Sequence, residues 1–169
     1  MVAEEGFHAA SVDLIAERAG LSIGALYSNF SGKDDLLLAV FDSHVQWFEE
    51  QANAAIQDPD LARATTTWLA LSGESADQFL IFIEFWAYAV RQPKLRTQFA
   101  KRMAQMRAEV AKAVERAAAG RGITPQLPSE LVALLALAIG RGVALEKLVD
   151  RKSVPDETVG QLLAGLLGS

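Results

Sequence analysis

Helix stops recur along this chain, and between them no apolar–polar alternation of period two runs for more than a few residues. Asp58-Pro59, Gln92-Pro93, Gly120 through Pro128 and Ser153-Val154-Pro155 are the stops. Between them apolar residues return every three or four positions, the spacing of one helix face. The pattern predicts an all-α fold. Short helices are expected over Val12–Ala19 and from just after Ser22, its cap, to about Ser28. Longer ones are expected over Lys33–Ala55, Asp60–Leu71, Ala76–Arg91, Lys94–Ala119, Ser129–Asp150 and Asp156–Leu167.

Composition removes several chemistries. The chain has no cysteine, so disulfides, thiolate metal sites and a thiol nucleophile are excluded. His8 and His44 are its two histidines, too few for a zinc site of the usual kind. No repeated Glu-x-x-His arrangement and no nucleophile–base pair stands out, so an enzyme is not expected, and neither is a cofactor. The longest apolar stretches, Phe79–Val90 with Glu84 inside it and Leu131–Ile139, are too short to span a bilayer. The opening MVAEEGFHAAS has no basic region of the kind a signal peptide needs. A cytoplasmic protein with no membrane partner is expected. At 51% hydrophobic residues, some of the apolar surface is expected to be buried against a partner or to line a cavity.

Charge is distributed unevenly. Residues 1–57 hold two basic and nine acidic groups, whereas residues 91–121 hold nine basic and two acidic ones. The basic block coincides with one long helical pattern. It reads either as a solvated face or as a patch that attracts DNA or pairs with the acidic head.

Residues 11–30 have the spacing of a helix-turn-helix. Ser11 is a good N-cap, Gly20 breaks the first helix, and Ala16 is small where a second helix must cross. Ile23 and Leu26 would lock the second helix to the first, leaving Gly24, Ala25, Tyr27 and Ser28 outward. That is an exposed edge held by a rigid helix pair, which reading a major groove requires. Many α-hairpins share the spacing.

The run SVDLIAERAGLSIGALYSNFSGKDDLLLAVF, residues 11–41, is more specific. It resembles the DNA-binding signature of the TetR family of bacterial transcriptional regulators. Ser11 stands at the usual Thr/Ser cap, and Ile15-Ala16 and Ala19-Gly20 match the first motif helix. Ser22 and Gly24 match the start of the recognition helix, Leu26-Tyr27-Ser28-Asn29-Phe30 the leucine-tyrosine-x-x-phenylalanine block, and Lys33 with Leu36-Leu37 the start of the linker helix. Members of the family usually open with a full basic helix. Here Met1–Phe7 matches only its last turn, so a head with a truncated first helix is expected.

The resemblance implies that Ser11, Ser22, Ile23, Gly24, Ala25, Tyr27, Ser28 and Lys33 meet DNA. Tyr27 would donate to a phosphate; its plainer role is packing on the helix pair. Lys33 would meet phosphate at the start of the linker helix, or is simply solvated there. The short side chains after Ser22 would let that turn approach the bases. The implied division is residues 1–47 for the head with the start of the linker helix, and residues 48–169 for an antiparallel helical bundle that binds ligand and dimerises.

Within that bundle, Trp68, Phe79, Phe82, Glu84, Trp86, Phe99, Met103 and Met106 are candidates for an adaptable apolar pocket. A filled helical core explains them equally well. Glu84 would be exposed, or would give the pocket a polar contact. The last two helices carry Leu131, Leu134, Leu135, Ala138, Ile139, Gly142, Leu145, Leu162, Leu163 and Leu166, an apolar set suited to a two-fold four-helix interface. Ala133, Ala136, Gly140 and Ala144 are small and permit close helix approach.

The expected function is a homodimeric repressor of double-stranded operator DNA, released from a pseudo-palindromic site by a small apolar or aromatic effector. The alternative is a helical dimeric small-molecule or protein-binding module that does not bind DNA.

Overall fold

The computed structural model describes residues 30–58, 60–72 and 76–167. Every regular element among them is an α-helix. In chain order these are α1 (Lys33–Ile56), α2 (Leu61–Ser72), α3 (Ala76–Ala89), α4 (Pro93–Arg121), α5 (Ser129–Val149) and α6 (Asp156–Leu167). The helix expected over Val12–Ala19 and the one expected after Ser22 lie outside the described residues.

The boundaries follow local chemistry. At the start of α1 the Asp35 carboxylate reaches back to accept the Ser31 backbone N–H at 3.1 Å and the Ser31 hydroxyl at 3.3 Å. Asp34 and Asp35 also place negative charge in the first turn, where the helix dipole favours it. Helix α3 ends at Ala89, two residues before the expected Arg91. Pro93 disfavours helical geometry at Gln92, and the last turn tightens into Arg91 N–H to Tyr88 carbonyl and Gln92 N–H to Ala89 carbonyl bonds. Pro93 then becomes the first residue of α4, a position where its missing N–H costs nothing. The far end of α4 closes on Gly122, whose φ is +64°. Its N–H bonds the Ala119 carbonyl and the Ile123 N–H bonds the Ala118 carbonyl, a paired closure that glycine accommodates without strain.

The chain forms two compact units. The first takes in the described part of Met1–His44 together with Asp77–Lys101. The second takes in Val45–Ala76 and Arg102–Ser169.

The core of the first unit mixes aliphatic and aromatic side chains from α1, α3 and α4. Leu36, Leu37, Leu38 and Phe41 are buried on α1, with Phe85 and Ala89 on α3 and Leu95 and Phe99 on α4.

In the second unit α2 packs closely on α6, and both touch α5. Val114, Val132 and Ala164 form one buried cluster, flanked by Ala62, Ile123 and Leu127. Ala136, Val159 and Leu163 form another, flanked by Ile139, Val143 and Val154. Polar ties close the segment between α1 and α2. The Arg63 guanidinium holds the Asp58 carboxylate through two contacts of 2.5 and 2.7 Å, and Arg121 donates to the Asp58 carbonyl. Arg116 on α4 donates to Asn53 on α1 at 2.8 Å.

Candidate functional site

The start of α1 is the part of the expected DNA-binding region that the structure describes. Lys33 is half-buried there, and burial holds its ammonium below the usual lysine value while Asp34 pulls the other way. Asp34 accepts a 3.1 Å hydrogen bond from the Tyr88 hydroxyl on α3. Burial first, and then this bond to an anion, raise the Tyr88 pKa. Ser11, Ser22, Ile23, Gly24, Ala25, Tyr27 and Ser28 lie outside the described residues.

The candidate ligand-binding aromatics form a packed cluster in the first unit. Phe82 lies 6.0 Å from Phe79 and meets Trp86 edge-on at 5.4 Å. Trp86 and Phe85 each meet Phe99 edge-on, at 5.3 and 5.1 Å. Phe41 on α1 completes the set, stacked on Phe82 at 6.0 Å and edge-on to Phe99 at 5.2 Å. Edge-to-face pairs at these separations are attractive beyond the area they bury. Phe79, Phe82 and Trp86 keep some exposure, whereas Phe41, Phe85 and Phe99 are buried. Phe41 joins the cluster without having been expected in it. Its sequence signal is plain, since it follows Leu37 by one turn on the apolar face of α1. Glu84 is half-buried on α3.

Met103 and Met106 are buried on α4 and belong to the second unit, not to that aromatic set. The side chain of Trp68 is outside the described residues. The second unit also contains a pair of cations. Arg141 on α5 is half-buried, and burial, with repulsion from Arg107 on α4, lowers its pKa.

The apolar residues of α5 separate onto two faces. Val132, Ala133, Ala136, Leu137, Gly140 and Ala144 are buried. The four small residues expected to permit close helix approach are therefore used within the chain's own core. Leu131, Leu134, Ala138, Gly142 and Leu145 stand on the exposed side, joined at its end by Val149, which is 91% exposed. Leu135 and Ile139 lie between the faces. On α6, Leu162 is 56% exposed, whereas Leu163 is packed against Ala136 and Val159 and is not on the outer face. The side chain of Leu166 is outside the described residues. Val149 extends the outer row one turn beyond Leu145, where the expected apolar pattern stops.

Among the described residues no group of three or more His, Cys, Asp or Glu could hold a metal ion. No described helix is long and apolar enough to cross a membrane.

A helical chain with an N-terminal DNA-reading motif and an uncovered apolar face near its end defines a class: one-component helical transcription regulators. Residues 1–40 match the family described as bacterial regulatory proteins, tetR family. Residues 52–169 match the C-terminal domain of BetI-type transcriptional repressors. The chain belongs to the TetR family of DNA-binding transcriptional regulators. The chain is similar to the HTH-type transcriptional activator FasR of Mycolicibacterium smegmatis, 52% identical over 42 residues, which is 25% of this chain and 19% of that protein. It is also similar to the fatty acid metabolism regulator protein of Bacillus subtilis, 32% identical over 63 residues, or 37% of this chain and 32% of that one. Both matches thus span less than half of the relative. The fold as a whole matches the crystal structure of FadR from Bacillus subtilis in complex with stearoyl-CoA, with a TM-score of 0.73 and 19% identity, covering 99% of this chain and 92% of that one.

Proposed function

We propose that the protein is a repressor that, as a dimer, holds a pseudo-palindromic operator and leaves it when a small apolar effector binds. Residues 1–47 act as the DNA-binding head, and residues 48–169 as the effector-binding and dimerisation body. The observation that carries this reading is the succession, in one chain, of a TetR-type head over residues 1–40 and a BetI-type repressor domain over residues 52–169. The cytoplasm is where such a protein would meet its operator.

The exposed row of α5, with Leu162 of α6, supports dimerisation. Leu131, Leu134 and Leu145 leave a row of large apolar side chains in water along α5, and Leu162 is a further exposed leucine on α6. Two such faces related by a two-fold axis cover each other and set two recognition helices at a fixed spacing.

Effector coupling is a binding equilibrium. DNA favours one separation of the two heads, and the effector favours another, with α1 as the connection between head and body. A long-chain acyl group is the first effector class to test. FadR binds stearoyl-CoA, and the B. subtilis relative is a fatty acid metabolism regulator.

The test is a titration of duplex DNA from just upstream of the chain's own reading frame, followed by fluorescence anisotropy with and without saturating stearoyl-CoA. A lower affinity in its presence supports the reading. Equal affinity rejects the coupling for that ligand. Failure to bind the duplex at all favours a dimeric sequestration module.

A further inference from the structure

The basic tract begins at the corner between α3 and α4. From residue 85 to residue 108 the chain has six cationic side chains and no acid. Four of them, Arg91, Lys94, Arg96 and Lys101, are in the first unit, and all four are exposed. Arg91 donates to the Ala87 carbonyl at 2.6 Å, which fixes its guanidinium at the end of α3. Among the described residues neither Lys94 nor Arg96 takes part in an ion pair.

The location of this corner is set by two contacts. The Tyr88 hydroxyl bonds Asp34, the second residue of α1. Phe85 and Phe99 pack against Phe41, on the same helix. The turn after Tyr88 is therefore held beside the first turn of α1. That first turn, with Lys33, lies inside the segment that matches the family's DNA-binding region. Arg91 follows Tyr88 by three residues, about 5 Å along a helix, and long side chains extend the reach further.

We propose that Arg91, Lys94 and Arg96 form an accessory contact to the phosphate backbone of duplex DNA, beside the contact made from the start of α1. The proposal rests on the DNA-binding reading of the family and adds a surface outside the helix-turn-helix. The physical case is charge complementarity. Residues 1–57 offer two cations against nine acids, and a polyanion approaching them is repelled unless cations stand nearby. The corner supplies three, solvent-facing and adjacent.

The experiment compares salt dependence. A fluorescein-labelled duplex of about 30 base pairs, taken from just upstream of the reading frame, is titrated at several KCl concentrations. The proteins are the wild type, Lys94→Gln/Arg96→Gln, and Arg151→Gln/Lys152→Gln as a control of equal charge change in the exposed turn between α5 and α6. The expected result for Lys94→Gln/Arg96→Gln is weaker binding and a log K against log salt slope shallower by about 0.9 for each phosphate no longer neutralised. The control should keep the wild-type slope, and circular dichroism melting should be the same for all three.

An unchanged slope and affinity in Lys94→Gln/Arg96→Gln overturns the proposal. So does an equal change in the control, which would make the effect one of net charge. A wild type that binds no duplex defeats the regulator reading itself, a result distinct from either.

Discussion

The Thr65 hydroxyl donates a 2.7 Å hydrogen bond to the Gly160 carbonyl, where α2 crosses α6. The Thr65 oxygen is also 3.0 Å from the Ala62 carbonyl, and the neighbouring Thr66 hydroxyl bonds that same carbonyl at 2.7 Å. The crossing is this close because residue 160 has no side chain. A Cβ there would overlap the Thr66 hydroxyl and come within 2.9 Å of the Thr66 Cβ and 3.0 Å of the Ala62 carbonyl. Contacts between helices 95 residues apart in sequence thus hang on one hydrogen atom.

Gly160→Ala is accordingly expected to destabilise the protein, although alanine is the better helix former. Helix propensity would favour the change by about 1 kcal/mol, and overpacking opposes it by about 1–3 kcal/mol. The prediction is a lower thermal midpoint by calorimetry. Adding Thr66→Ala should recover part of the deficit, since it removes the nearest atom and leaves the Ala62 carbonyl in place.

Leu134→Glu should yield a monomer. Leu134 is 47% exposed on the outer row of α5, so the charge is solvated in a single chain and buried unpaired in a face-to-face dimer. Light scattering coupled to size exclusion would read the mass. A dimer that persists unchanged would exclude this row as the interface. Leu163→Glu tests the opposite face, because Leu163 is 3% exposed within the chain's own core, and that variant should fail to fold.

Phe99→Ala should cost about 3–5 kcal/mol in urea unfolding. The ring is 3% exposed and meets Phe41, Phe85 and Trp86, so its removal strips three aromatic partners at once. Phe79→Ala should cost less, because that ring is partly exposed and its closest ring contact is Phe82 alone among the described residues.

Asp58 gives a pH dependence with a definite sign. Hydrogen bonds from Arg63 first, and then from the Asp60 N–H, bring its carboxyl down to about 2. A carboxyl with a depressed folded-state pKa adds stability above its ordinary range and loses it as pH falls toward the folded value. Asp58→Asn should therefore lower the thermal midpoint at pH 7. The difference from wild type should shrink on acidification below about pH 4 and vanish only below pH 2. A difference that stays constant with pH would show that the ion pair with Arg63 contributes nothing.

How much of this is legible in the sequence depends on the range of the forces involved. Pro93, Gly122 and Pro155 act on their own neighbours through missing N–H groups and permitted φ values. The helix ends they impose are readable to within two residues. The family is readable in residues 11–41 because many closely spaced residues match one signature there. Periodicity alone does not resolve α5. It is apolar around most of its circumference, and Ala133 and Ala138 look alike in a pattern.

Sequence by itself thus determined that the chain is helical, where most helices stop, and which family it joins, because each depends on interactions within a few residues. Tertiary structure alone decided which side of α5 turns inward, that Leu163 is interior while Leu162 is not, and that Phe41 joins rings from α3 and α4. It also decided that Gly160 is where two helices meet. These depend on which surfaces compete for burial, and that competition involves partners tens of residues away whose shapes no local pattern encodes.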